Sequence, residues 1–93
     1  MPGFVYMLAS QKNGTIYIGS TVDLTHRTQT HRDKVVKGFT AKYGVTRLVY
    51  AEEHPTIYEA RVRERQMKKW NRAWKIKLIE KDNPSWEDLA KWL

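Results

Sequence analysis

Two apolar runs open the chain, FVYMLA at 4–9 and TIYIGS at 15–20, with polar residues between them. β-branched and aromatic residues dominate both runs, and Asn13-Gly14 is a strong hairpin turn signal. The pair is expected to form a β-hairpin, closed either by a four-residue loop at 11–14 or by a two-residue Asn-Gly turn. Asp23 can cap a helix from about Leu24 to Lys37, where Gly38 ends it. Within that helix Leu24, Thr28, His31 and Val35 fall on one stripe. A short FTAKY turn precedes RLVYAEE, which reads as a third strand. From about Thr56 into KLIEKD the pattern predicts one long helix, with Ala60, Met67, Trp70, Trp74 and Leu78 as its apolar stripe. Pro84 forbids its continuation, and Ser85 with Asp88 resembles a capping box for a last short helix. Trp86, Leu89, Ala90 and Leu93 of that helix are expected to face the core. The order β-β-α-β-α-α predicts an α+β fold, a three-stranded sheet covered by helices.

Composition narrows what such a fold can do. Ninety-three residues at 41% hydrophobic content fit one domain over 1–93 with one modest core. The chain has no cysteine, so a disulfide, a thiolate metal site and a cysteine nucleophile are excluded. No apolar run approaches the ~18 residues that cross a bilayer, and the N-terminus lacks a signal-peptide pattern, so a cytoplasmic location is expected. The net charge is +7, and residues 56–80 carry eight basic side chains against three acidic ones. Nucleic acid is the natural polyanionic partner for that surplus, although a basic surface also serves solubility.

Candidate chemistry gathers on three elements. With a loop at 11–14, Tyr6 lies opposite Gly19 and Tyr17 is its diagonal neighbour, so two phenols share one face of the hairpin. Gly19 would leave a gap beside them through which a ligand approaches the backbone, while simple packing of two strand tyrosines remains the bland alternative. Arg27 sits one helical turn before His31, and the two point the same way. A guanidinium fork suits phosphate oxygens, and a histidine can donate a hydrogen bond or move a proton. Glu64 falls at the edge of the long helix's apolar stripe, where a carboxylate must be paired or bind a metal; Arg63 is one available partner. Arg61, Arg65, Lys68, Arg72 and Lys75 recur at 4-3-4-3 spacing, which on one helix makes a basic track for a nucleic-acid backbone or a solvated face.

Taken in order, FVY at 4–6, YIG at 17–19, Arg27, His31, the glutamate of RERQMKKW and the asparagine of NPSW resemble the GIY-YIG endonuclease superfamily, and in particular its small stand-alone bacterial members of the UPF0213 type. The likeness extends over essentially the whole chain. It implies a mixed or antiparallel three-stranded sheet with flanking helices, and hydrolysis of DNA phosphodiester bonds with one divalent metal, Mg²⁺ or Mn²⁺, bound by a single glutamate. Carried over by position, Tyr6 and Tyr17 are the motif tyrosines, Arg27 and His31 the helix pair, Glu64 the metal ligand, and Gly19 and Asn83 supporting residues. Phe4 stands where the family's first motif has glycine, and His26 where relatives often carry a basic residue. Chemically, a tyrosine with His31 nearby would take the proton from the attacking water, with Tyr6 as the base and Tyr17 orienting it, or the reverse. Cleavage is expected to be structure-directed or non-specific, of the kind used in DNA repair or recombination, with any sequence specificity supplied by a protein partner. A catalytically weak DNA- or RNA-binding module with the same fold is the alternative.

Overall fold

The computed structural model describes residues 1–33 and 43–93. Strands β1 (Gly3–Ala9) and β2 (Ile16–Thr21) form the expected hairpin, and β3 (Arg47–His54) joins the other side of β1. β1 is therefore the central strand, and it is buried on both faces. That position is why its sequence is almost continuously apolar and lacks polar alternation. Both pairings are antiparallel, the second of the two arrangements that were expected. Of the two loop lengths the sequence left open, the four-residue loop at 11–14 is the one formed: Ser10 donates its backbone N–H to the Thr15 carbonyl, and Gly14 donates to Gln11. Asn13 takes the left-handed conformation at φ 60°.

Alternation along β1 assigns its side chains to two cores. Val5, Met7 and Ala9 pack with Ile18, Val49, Ala60, Met67, Ile79 and Trp86 on one face. Tyr6 and Leu8 pack with Leu24, Val45 and Leu48 on the other. Helix α1 (Leu24–Arg32) covers this second face with Leu24, Thr28 and His31, the expected stripe, and its N-cap is Asp23, whose side chain accepts from the His26 N–H. α1 spans Leu24–Arg32 with Asp33 as its C-cap, and the expected stretch to Lys37 lies outside the described residues. Val35, Gly38 and most of FTAKY lie outside the described residues.

The long helix is two helices, α2 (Ile57–Lys68) and α3 (Arg72–Asp82). Thr56 caps α2, accepting from the Glu59 N–H. Asn71 caps α3 in the same way, its side chain accepting from the Trp74 N–H at 2.9 Å. An asparagine is a poor interior helix residue and a strong N-cap. The stripe through Trp70 and Trp74 therefore breaks between its third and fourth members. At the C-terminus Asp88, not Ser85, caps a single 3₁₀ turn, Leu89–Trp92. Trp86 is fully buried and Leu89 and Ala90 pack against the core, but Leu93 is 54% exposed, contrary to the expected inward-facing set.

Candidate active site

Tyr6 stands opposite Gly19 in the hairpin register, as expected. The space beside Gly19 is not an open gap, however. A Cβ there would lie 2.5 Å from the Tyr6 hydroxyl and 2.6 Å from Cζ, so the glycine exists to let the phenol lie across the strand. Tyr6 is only 2% exposed. Its hydroxyl is 3.2 Å from Nε2 of His31, which α1 delivers to the same face. The rings of Tyr6, Tyr17 and His31 form a closed triangle with centroid separations of 6.3, 6.0 and 5.5 Å. Tyr17, on the edge strand β2, is half-buried and is the outer member of the three.

Electrostatics tie Arg27 and Glu64 to this cluster. Burial, the neighbouring Tyr17 and the Glu64 charge push the Tyr6 phenol far above its ordinary range, against the opposing pull of Arg27. Burial, reinforced by Arg27, lowers His31 below its ordinary value, so it is neutral at physiological pH. A buried neutral imidazole touching a buried phenol is a proton acceptor held ready beside a donor.

Glu64 comes from α2 to the β2 edge. Ser20 donates its hydroxyl to Oε1, and Lys68 Nζ lies 2.6 Å from Oε2. A shallow pocket of about 310 Å³ opens there, lined by Ser20, Arg61, Glu64 and Arg65. Arg63, the alternative partner for Glu64, points away. It pairs with Glu52, which also accepts hydrogen bonds from Tyr50 and His54. Those bonds hold the Glu52 carboxyl below its ordinary range although burial works against them. Among the described residues no three His, Asp or Glu side chains converge on one point, and Glu64 is the one carboxylate among the residues that line this pocket.

Two groups of expected site residues are elsewhere. Asn83 is buried on the opposite side of the sheet beside Trp86, where Nδ2 donates to the carbonyls of Val49 and Glu87 and Oδ1 accepts from the Glu87 N–H. Met7 pairs with Tyr50 and Leu8 with Leu48, leaving Val49 as the extra residue of a β-bulge. Asn83 satisfies the bulge carbonyl, and Asp88 accepts from the Leu48 N–H at 3.2 Å. The asparagine and aspartate of NPSWED thus hold a disrupted stretch of β3 together. The basic track also divides. Arg61, Arg65 and Lys68 share one face of α2 beside Glu64, whereas Lys75 belongs to α3. Arg72 donates to the carbonyls of Asn13 and Gly14, each at 2.7 Å, and so clamps the hairpin loop. Sequence reading missed Ser20, the hydroxyl on Glu64; its place one residue after the second motif was the available signal.

The GIY-YIG catalytic domain model matches residues 2–77. The chain belongs to the GIY-YIG family. Its fold is also similar to the solution structure of the UPF0213 protein BH0048 from Bacillus halodurans, at 30% identity and a TM-score of 0.57, over 98% of this chain and 96% of that one. No curated protein matches the chain. The GIY-YIG family is generally one of nucleases, and the matched residues include Tyr6, Tyr17 and His31, whose rings lie together. No helix among the described residues is long and apolar enough to cross a membrane.

Proposed function

We propose that this protein is a divalent-metal-dependent endonuclease that hydrolyses DNA phosphodiester bonds, with structure-directed or no sequence specificity. The observation that carries the reading is the Tyr6–His31 contact at 3.2 Å, set behind a half-buried Tyr17 and within the field of both Arg27 and Glu64. Packing alone gives no reason to bury a phenol on an imidazole beside a guanidinium.

The donor set at Glu64 fits Mg²⁺ or Mn²⁺. Hard cations of this kind keep several waters and need one or two carboxylates plus substrate phosphate oxygens. The Glu64 carboxylate already holds one cation, the Lys68 ammonium, which a divalent ion would displace. Bound there, the metal would neutralise charge building on the scissile phosphate. Arg27 would grip a non-bridging phosphate oxygen through its guanidinium.

Of the two orders left open for the tyrosines, burial favours Tyr17 as the base. Tyr6, at 2% exposure, is too enclosed to meet an attacking water, and its raised pKa makes it a poor phenolate. Tyr17 is the phenol that faces outward. The water's oxygen forms the new bond to phosphorus as its proton passes to Tyr17. The Tyr17 proton moves to Tyr6, and the Tyr6 proton to neutral His31. The bond from phosphorus to the leaving oxygen breaks, and that oxygen takes a proton from solvent.

A catalytically weak nucleic-acid-binding module is the second reading, and one contact favours it. Ser20 and Lys68 together engage both oxygens of Glu64, as they would in a purely structural ion pair. Incubating the protein with supercoiled plasmid, with Mg²⁺ or with chelator, separates the two. Metal-dependent nicking supports the nuclease; retention of plasmid without nicking supports the binder.

A further inference from the structure

A second concave surface lies away from the tyrosine cluster. Trp70, Trp74, Lys77, Leu78, Glu80 and Lys81 line a groove of about 690 Å³ along α3. Trp74 is 57% exposed, a large share for a tryptophan. Trp70 meets it edge-on at 6.2 Å, and the Arg63 guanidinium covers the Trp70 ring at 5.0 Å. Trp70 is thereby fixed between α2 and α3, and the exposed indole of Trp74 is braced against it. Glu80 is the groove's one acidic residue, and its carboxylate accepts the Trp86 indole N–H at 2.7 Å. Lys77 and Lys81 are the cations left at the rim, one helical turn apart and both exposed.

We propose that this groove binds an unpaired stretch of DNA, stacking a base on Trp74 and placing its phosphates on Lys77 and Lys81. Aromatic faces beside cations are the combination that single strands require, because every base has a π-face and every linkage a charge. An apolar protein partner would leave the two lysines unmatched. The inference rests on the DNA reading above and deepens it. Trp70 stands six residues beyond Glu64 in the chain, so a strand seated in the groove lies alongside the helix that carries the candidate metal ligand. Substrates with a single-stranded arm would then be favoured over plain duplex.

The test uses the whole chain in chelator, with a Trp92→Phe background because Trp92 is 75% exposed and would respond to any ligand. Trp86 is fully buried, so fluorescence then reports Trp70 and Trp74. An oligothymidine should quench it, and Trp74→Ala should weaken that binding by about 5- to 150-fold, the range of one lost base stack. Lys77→Gln with Lys81→Gln should flatten the salt dependence by about 1.4, at 0.7 per phosphate contact on a single strand. Trp74 is exposed, so Trp74→Ala should melt as the parent does. Nicking of closed duplex plasmid by Trp74→Ala should be unchanged while its preference for tailed substrates is lost. Unquenched fluorescence, or oligothymidine affinity indifferent to Trp74→Ala, overturns the groove. So does sedimentation showing that Trp74→Ala dissolves a dimer, which would assign the face to a second copy. A wild-type protein that is quenched by oligothymidine but nicks nothing overturns the nuclease reading and leaves the groove standing.

Discussion

Gly19 and Tyr6 form one unit, because the phenol occupies the volume that any side chain at 19 would take. Gly19→Ala therefore overpacks a buried ring and should cost about 1–3 kcal/mol, with Tm falling by about 4–8 °C for each kcal/mol in a domain of this size. Nicking per folded molecule should fall as well, since Tyr6 can relax only by leaving His31; thermal melts and plasmid assays on one preparation measure both. The proton relay makes a sharper claim. His31 is held neutral by burial and by Arg27, so the wild-type rate should be flat above pH 7 and fall only when His31 protonates, at a pH below the free imidazole value of about 6.5. The same sign governs stability: the unfolded chain takes up that proton first, so stability is lost as pH drops below about 6.5. Tyr6→Phe cuts the link to His31, so the residual rate should fall by orders of magnitude and lose its dependence on His31 protonation at acidic pH. A Tyr6→Phe protein with the wild-type rate and profile would remove Tyr6 and His31 from the mechanism. For Glu64, Glu64→Gln should lose metal-dependent nicking by orders of magnitude while still folding; a destabilised but fully active variant would make the Lys68 pair its whole purpose.

At the scale of elements, what was legible in the sequence was what local chemistry decides. The Asn13-Gly14 turn set the hairpin register, and that register alone brought Tyr6 to Gly19. Asp23 set the start of α1, and 3.6-residue spacing brought Arg27 and His31 to the tyrosines. What was not legible depended on contacts distant in sequence. Asn83 reads as a polar site residue until the β3 bulge is seen, because its partner Val49 is 34 positions away. Arg72 reads as one more cation on a track until the hairpin loop is found beneath it. The division at Asn71 lies between these cases. Its capping role was not read from the sequence, where the apolar stripe across it was the stronger pattern. The two interpretations of residue 71 predict opposite signs. Inside one continuous helix, Asn71→Ala would stabilise by about 0.6 kcal/mol through better helix propensity. As the N-cap of α3, Asn71→Ala should destabilise by about 1 kcal/mol, measured as a lower urea midpoint at unchanged slope.

For the whole molecule, the break between α2 and α3 redistributes the charge that faces DNA. The eight basic and three acidic side chains of residues 56–80, set on one straight helix, would give a long ridge on which every cation counts equally. The folded chain instead keeps Arg61 and Arg65 at the pocket with Glu64, commits Lys68 to Glu64, and spends Arg72 on backbone carbonyls. Affinity for duplex DNA falls with salt by about 0.9 per phosphate neutralised, so the slope counts the cations that touch the backbone. Arg61→Ala with Arg65→Ala should flatten that slope by about 1.8 and weaken binding to all sequences alike, because phosphate contacts carry no base information. Arg72→Ala should leave the slope unchanged and appear only as lost stability, since its guanidinium donates to two carbonyls and has no phosphate to release. Measured by salt titration of duplex affinity, a slope that drops for Arg72→Ala as much as for Arg61→Ala would restore the continuous track and rule out the clamp. A slope indifferent to both Arg61 and Arg65 would move the duplex off α2 altogether, and with it the argument that Glu64 faces the scissile phosphate.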